Sequence, residues 1–248
     1  MMPFEQIPTK GHLHPLTQIM NRSAGIFTEL GFEIADSPQV ETEEYNFDKL
    51  NVPANHPARD LWDTYWLKPS GSGKLLRTHC TPSDVHYLET NGAPAKIITM
   101  GKTFRYEATD ATHETEFYQI DGLWIGEHIT LAHLKGTLEA YFSELFSNES
   151  HIRLRPSFFP FVEPGVEIDV SCFKCSGTGC ALCKQSGWIE IMGAGMLHPL
   201  VLEYAGIDGK KFQGWAFGGG IDRIAMLAYG IDDVRLSHSG DLRFINQF

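Results

Sequence analysis

The sequence predicts an α+β fold, and three observations carry that reading. Residues 14–30 and 130–146 set apolar side chains at helical spacing. Residues 96–106, 116–120, 151–155, 166–171 and 187–192 alternate apolar and polar side chains, the pattern of half-buried strands. These strands run in meander order and not in strict alternation with helices, which favours an antiparallel sheet flanked by helices.

Along the chain, the first helix opens at Pro15, a residue suited to a first turn, and aligns Leu16, Ile19, Met20, Ala24, Phe27 and Leu30 on one face. Gly31 supplies its C-cap, and Phe32-Glu33-Ile34-Ala35 begins a strand that runs toward Pro38. Residues 40–74 read as loop-rich, with a turn cluster at Asn51–Pro57. Leu75–Thr78 is a short strand, and Thr81 opens a helix over Pro82–Thr90. A hairpin follows over 96–120. The helix at 130–146 has Leu131, Leu134, Leu138, Tyr141, Phe142 and Leu145 as its apolar stripe. After three more alternating segments, Gly218-Gly219-Gly220 breaks the chain before a last helix at about 221–229.

The 248 residues suit one large domain, and 42% hydrophobic with 12% aromatic residues is enough for a substantial core. No apolar run approaches the roughly 20 residues that span a bilayer. Met1–Gln6 lacks the basic and apolar regions of a signal peptide. A soluble, cytoplasmic protein with no membrane partner is expected. The net charge of −11, with no Lys/Arg-rich run, argues against strong nucleic-acid binding by this chain alone.

The most informative stretch is Gly101–Gly122, which gathers Arg105, Glu107, His113, Phe117, Gln119 and Asp121. Alternation puts Phe117, Gln119 and Asp121 on one sheet face, so that face carries an aromatic ring, an amide and a carboxylate. A purely structural hairpin would bury aliphatic side chains there. This one suits a polar ligand that contains a flat ring.

Four of the five cysteines form two Cys-x-x-Cys pairs, Cys172 with Cys175 and Cys180 with Cys183, with Gly177 and Gly179 between them. The spacing points to a structural zinc ion held by four thiolates, in a small knuckle inserted in the domain. Free thiols, an iron–sulfur cluster or a redox pair are the other readings. The odd count and tight crowding do not suit a disulfide framework. A closed four-thiolate site has no open position, which assigns it to structure and not to catalysis.

Together with Gly214-Trp-Ala-Phe-Gly-Gly-Gly-Ile-Asp-Arg223, these segments resemble the class II aminoacyl-tRNA synthetases, and within them the catalytic α subunits of bacterial-type phenylalanyl-tRNA synthetase. The helix 14–30 with Gly31-Phe32-Glu33 and Pro38 looks like motif 1, the dimer-interface element. Thr103-Phe-Arg-Tyr-Glu107 is similar to motif 2, and Gly218-Gly-Gly-Ile-Asp-Arg223 to motif 3. Gly11-His-Leu-His-Pro15, His56-Pro-Ala-Arg-Asp60, Arg77-Thr-His79, Arg155-Pro-Ser-Phe-Phe-Pro-Phe161, Gly193-Ala-Gly-Met196 and Asp241-Leu-Arg-Phe244 add subfamily marks. The likeness runs from about residue 11 to 248.

The resemblance implies a single class II catalytic domain over 1–248 that joins phenylalanine to ATP as phenylalanyl-adenylate and passes it to tRNA(Phe). By carry-over, Arg105 clamps the α-phosphate, Arg223 and Phe117 stack on the two faces of adenine, Glu107 accepts from the adenine amino group, and His113 reaches the β- or γ-phosphate. Arg105 and Arg223 are the implied catalytic residues. Magnesium bridging the phosphates is implied, with Glu190 its candidate carboxylate. Phe159 and Phe161 would contact the substrate ring, and Ala216 and Gly218 would line the far end of its pocket. Trp62, His79, Thr81, Gln119 and Asp121 would hold the substrate ammonium and carboxylate. The family usually has Glu where Asp121 and Asp222 stand, and Ser where Thr81 stands.

The family's α subunits usually open with a long helical hairpin that contacts tRNA, and this chain begins about where the catalytic domain begins. tRNA capture is then expected mainly from a partner, the β subunit of an (αβ)2 heterotetramer, with α–α contact through motif 1. Two other readings stay open: a free-standing paralogue serving an acceptor other than tRNA, and a non-catalytic scaffold subunit. Retention of Arg105, Glu107, Phe117 and Arg223 weighs against the scaffold.

Overall fold

A computed structural model describes residues 11–59, 63–146 and 150–248. Helix α1 (Pro15–Glu29) starts where the His14 ring accepts the Leu16 N–H at 3.2 Å, and it buries Leu16, Ile19, Ser23, Ile26 and Phe27. Strand β1 is short (Glu33–Ala35), ending before Pro38. Residues 40–74 hold more structure than their composition suggests. Strand β2 (Val40–Thr42) and helix α2 (Glu43–Asn46) lie there, and β2 pairs antiparallel with β3 (Lys74–Leu76) as a separate two-stranded sheet. Helix α3 (Pro82–Asn91) begins at Thr81 as expected, but the Thr81 hydroxyl does not cap it.

The main sheet continues with β4 (Ala95–Phe104) and β5 (Glu116–Gly126), then helix α4 (Leu131–Phe146). Strands β6 (Ile152–Phe159), β7 (Val162–Ser171) and β8 (Trp188–Leu197) form a meander, followed by helix α5 (Pro199–Tyr204). Strand β9 (Gln213–Gly220) runs into helix α6 (Ile221–Tyr229), and helix α7 (Leu242–Ile245) lies near the C-terminus. The sheet has seven strands in the order β1-β4-β5-β9-β8-β7-β6, all antiparallel except β1 beside β4. Here one expectation is corrected. Gly218–Gly220 is not a break but the end of β9, inserted between β5 and β8.

Both faces of the central strands are covered, so Ile97 and Ile98 are each fully buried although they point opposite ways. On one side Ile98, Ile120, Trp215 and Phe217 pack under α1, α4 and α6 with Phe27, Leu138 and Tyr141. On the other, Ile97, Leu123, Ile125 and Ala216 pack with Phe47, Leu50, Leu75 and Val85. That second side leaves a gap toward β8, where a cavity opens. No helix among the described residues is long and apolar enough to cross a membrane.

Candidate active site

A cavity of about 470 Å³ opens on this second face, over the ends of β5, β8 and β9. Its polar end is built by register. Gln119 lies opposite Gly220 and Asp121 opposite Gly218, so both long side chains stand where their neighbours on β9 have none. A Cβ on Gly218 would fall 2.9 Å from Gln119 Nε2 and 3.0 Å from Asp121 Oδ1, so any larger residue would fill the space these groups face. Asp121 is 1% exposed, and its Oδ2 accepts from the Thr81 hydroxyl at 2.6 Å, which is where that hydroxyl goes instead of capping α3.

Among the described residues, the buried atoms Asp121 Oδ1, Gln119 Oε1 and His79 Nδ1, and Asp84 Oδ2 behind them, have no hydrogen-bond partner. Such atoms are costly unless a ligand meets them. Burial pushes the Asp121 carboxyl up to about 7, against the opposing pull of the Thr81 hydroxyl and the Arg77 and Arg105 guanidiniums. Burial, and then Arg105, drives His79 down to about 3, so its ring is neutral. Beneath Asp121, from α3, lies the buried Asp84, whose carboxyl is also pushed up by burial and by Asp121.

The other end is apolar. The Phe159 and Phe161 rings are nearly parallel, with centroids 6.1 Å apart and planes at 20°. Gly193 makes room for the first, because a Cβ there would sit 2.8 Å from the Phe159 ring. Ala216 and Gly218 line the cavity from β9. Phe47, Val52 and Ala58 close it from the segment between β2 and β3. Sequence reading missed these three because their segment has no period. It also missed Asn46, which is fully buried and brackets Thr78, donating to its hydroxyl at 3.0 Å and accepting its N–H at 3.2 Å. Asn46 thereby fixes the loop that presents His79.

Arg105 stands at the mouth, its guanidinium 5.0 Å from the Phe117 ring centroid and its Nε 3.4 Å from the Thr78 carbonyl. His79, Thr81, Arg105, Gln119, Phe159, Phe161, Ala216 and Gly218 therefore converge on one cavity. Asp121 lies just behind that lining, against Thr81 and Gly218; Glu107, Phe117 and Arg223 lie outside it, and Arg223 is an exposed residue in the first turn of α6 with no hydrogen bond or ion pair among the described residues. His113 is exposed in the loop between β4 and β5 and pairs with Asp110 at 3.0 Å. Trp62 lies outside the described residues.

Two further groups belong to the β7–β8 hairpin, the cysteines in its connection and Glu190 on β8. The Sγ atoms of Cys172, Cys175, Cys180 and Cys183 all lie within 4.8 Å of one another. The N–H groups of Gly179, Cys180 and Gly187 point at Cys175 and Cys183 sulfurs at 3.1–3.3 Å. Four convergent sulfurs with backbone donors behind them are a donor set that fits a tetrahedral soft cation. Glu190 on β8 lies opposite Asp169, and one of its oxygens accepts from Arg155 at 2.9 Å.

The model for the tRNA synthetases class II core domain (F) matches residues 2–248. The chain is 52% identical over 241 residues to the phenylalanine–tRNA ligase α subunit of an Exiguobacterium species, covering 97% of this chain and 70% of that one. It is 53% identical to the same subunit of Staphylococcus carnosus, covering 96% and 67%. The pyrrolysyl-tRNA synthetase of Desulfitobacterium hafniense shares the fold, with a TM-score of 0.68 at 19% identity over 93% of this chain and 75% of that one. An antiparallel sheet carrying an arginine-mouthed cavity on one face agrees with these matches, and the chain belongs to the class II tRNA synthetase core family, among the phenylalanine–tRNA ligase α subunits.

Proposed function

We propose that this chain activates phenylalanine with ATP and transfers the phenylalanyl group to tRNA(Phe). The observation that carries the reading is the polarity of the cavity. The Phe159 and Phe161 rings wall one end, the Gln119 amide lines the other with the Asp121 carboxylate buried directly behind Thr81 and Gly218, and a guanidinium stands at the mouth. Phenylalanine has that shape: a ring for Phe159 and Phe161, room at Ala216 and Gly218, and an ammonium for Asp121 and Gln119. His79, Thr81 and Trp62 complete the hold on its polar end.

The carboxylate must approach the α-phosphate, and the two anions repel. Arg105 answers that repulsion and meets the charge that grows on the phosphorus oxygens, so the chemistry is positioning and electrostatics with no protein nucleophile. Arg223 and Phe117 hold the adenine faces, Glu107 its amino group, and His113 the outer phosphates. Magnesium, when bound, neutralises the phosphates. Glu190 is the carboxylate we assign to it: Arg155 holds one of its oxygens at 2.9 Å, the side chain is 53% exposed, and magnesium in nucleotide sites takes few protein ligands. The four cysteines suit structural zinc. tRNA is captured mainly through a β subunit in an (αβ)2 assembly, with α–α contact at the α1–β1 element, in the cytoplasm.

Phenylalanine-dependent exchange of pyrophosphate into ATP tests the activation step. Exchange above background is expected, and its absence with a β subunit supplied would sink the reading.

A further inference from the structure

The C-terminal segment reaches back to the two elements that flank the proposed adenine site. Strand β9 stops at Gly220, opposite Gln119, so the next N–H on β5, that of Tyr118, has no strand carbonyl to meet. The Asp222 carboxylate takes its place. Asp222 is 4% exposed, its Oδ2 accepts the Tyr118 N–H at 2.6 Å, and its Oδ1 lies 2.6 Å from His238 Nε2. Tyr118 adjoins Phe117 and Asp222 adjoins Arg223, so one carboxylate joins the two jaws assigned to adenine. His238 ends a 3-10 turn, Val234–His238, whose first residue donates its N–H to the Ala111 carbonyl at 3.0 Å, in the loop between β4 and β5.

We propose that His238 is a positioning residue for ATP: by holding the second oxygen of Asp222 it fixes the distance between Phe117 on β5 and Arg223 on α6. The proposal rests on the adenine assignment made above. A carboxylate with one oxygen free could rotate away from the Tyr118 N–H, whereas two short hydrogen bonds at opposite oxygens define its plane.

The groups around the imidazole are Asp222 from α6, Glu114 from the loop, and Glu116 from β5, with Lys102 of β4 on Glu116 at 2.8 Å. The hydrogen bond to Asp222 raises His238 above the ordinary histidine value, with burial opposing and the nearby carboxylate charges assisting. The brace is therefore an ion pair below that raised value and a weaker neutral hydrogen bond above it. Nucleotide affinity should decline on that alkaline side.

The test is ATP binding by calorimetry, with separate KM values for ATP and phenylalanine in the exchange assay, across pH 6 to 9. Loss of a charge-assisted hydrogen bond predicts that His238→Ala raises KM for ATP about tenfold, with KM for phenylalanine unchanged. His238→Gln keeps a neutral donor and should restore most of the affinity while flattening the alkaline decline. If the alanine variant fails to fold, the pH profile of the glutamine variant decides alone. Equal losses for ATP and phenylalanine, unchanged ATP affinity, or a glutamine variant with the original alkaline decline would each overturn the brace. A wild-type chain that does not bind ATP would instead overturn the adenine assignment, and the brace with it.

Discussion

The β4–β5–β9 half of the sheet and the β6–β7–β8 half treat buried charge in opposite ways. Around β5, Asp121, Gln119 and His79 are buried with polar atoms that meet no hydrogen-bond partner among the described residues. Around β7, Asp169 is equally buried, yet its two oxygens take four guanidinium N–H bonds from Arg153 and Arg155 at 2.6–3.0 Å. Arg155 also reaches Glu167 at 2.8 Å and Glu190 at 2.9 Å. The first arrangement is costly without a ligand and the second is satisfied by itself. Unmet polar atoms also occur elsewhere, as at Thr99, Trp215 and Ser237, so it is their convergence on the cavity beside Arg105, and not their mere presence, that suits a polar ligand there.

The sharpest test of this contrast is Arg105→Ala. Removing one preorganised group aimed at developing charge costs about 100- to 1000-fold in rate, and the exchange assay should show a loss of that order. Among the described residues its side chain makes one hydrogen bond, the 3.4 Å contact with Thr78, and one ring contact, with Phe117, so the melting temperature should change little. A large drop in stability would move Arg105 to the self-satisfied class.

Next in size is Asp121→Asn. Loss of the charge that meets the ammonium should raise KM for phenylalanine by about tenfold or more, with KM for ATP little changed. In the wild type, KM for phenylalanine should rise as pH falls through about 7, because the protonated carboxyl no longer pairs with a cation. Stability has the opposite sign. The folded value lies above the unfolded one, so the ligand-free protein is more stable at low pH and loses that margin as pH rises toward about 7. At pH 8 the asparagine variant should melt higher than the wild type while binding worse. A variant that binds worse and also melts lower would place Asp121 with Asp169.

Asp169→Asn is the mirror experiment. It leaves two guanidiniums short of a buried anion and should cost about 1.5–3 kcal/mol of stability, read by denaturant unfolding, with both KM values near normal. Burial alone would raise Asp169, but Arg155 and Arg153 outweigh it and hold the carboxyl below its usual range. Its contribution is therefore present at neutral pH and lost as pH falls through that lowered value.

How much of this was legible in the sequence follows from range. Arg105, Phe117, Gln119 and Asp121 lie within one hairpin, so period-two counting placed the last three on one face, and helix α6 fell on residues 221–229 as expected. Gly218–Gly220 was misread as a break because glycine runs often are. Its reason to be in a strand is the space Gln119 and Asp121 need, which belongs to another element. The β2–β3 pairing, Val40 with Leu76, spans a segment without periodicity, so neither the small sheet nor Phe47 and Val52 on the cavity wall could be read locally. Asp84 looks like an ordinary acidic residue of a helix first turn. It is buried only because α3 lies on the sheet beside Asp121.

Glu190 is the residue on which the two halves meet, and its substitution should give the smallest effect on the fold. It belongs to the arginine lattice by geometry, yet its side chain is 53% exposed and receives one bond from Arg155. Exposed ion pairs contribute about 0–1 kcal/mol, so Glu190→Gln should leave denaturant unfolding within that range. If Glu190 also serves magnesium, the same variant should need a higher magnesium concentration for half-maximal exchange, with KM for phenylalanine unmoved. A magnesium titration of wild type and variant separates the two roles. An unfolding loss as large as that of Asp169→Asn, with an unshifted magnesium curve, would make Glu190 a strut of the lattice and leave the metal to another carboxylate.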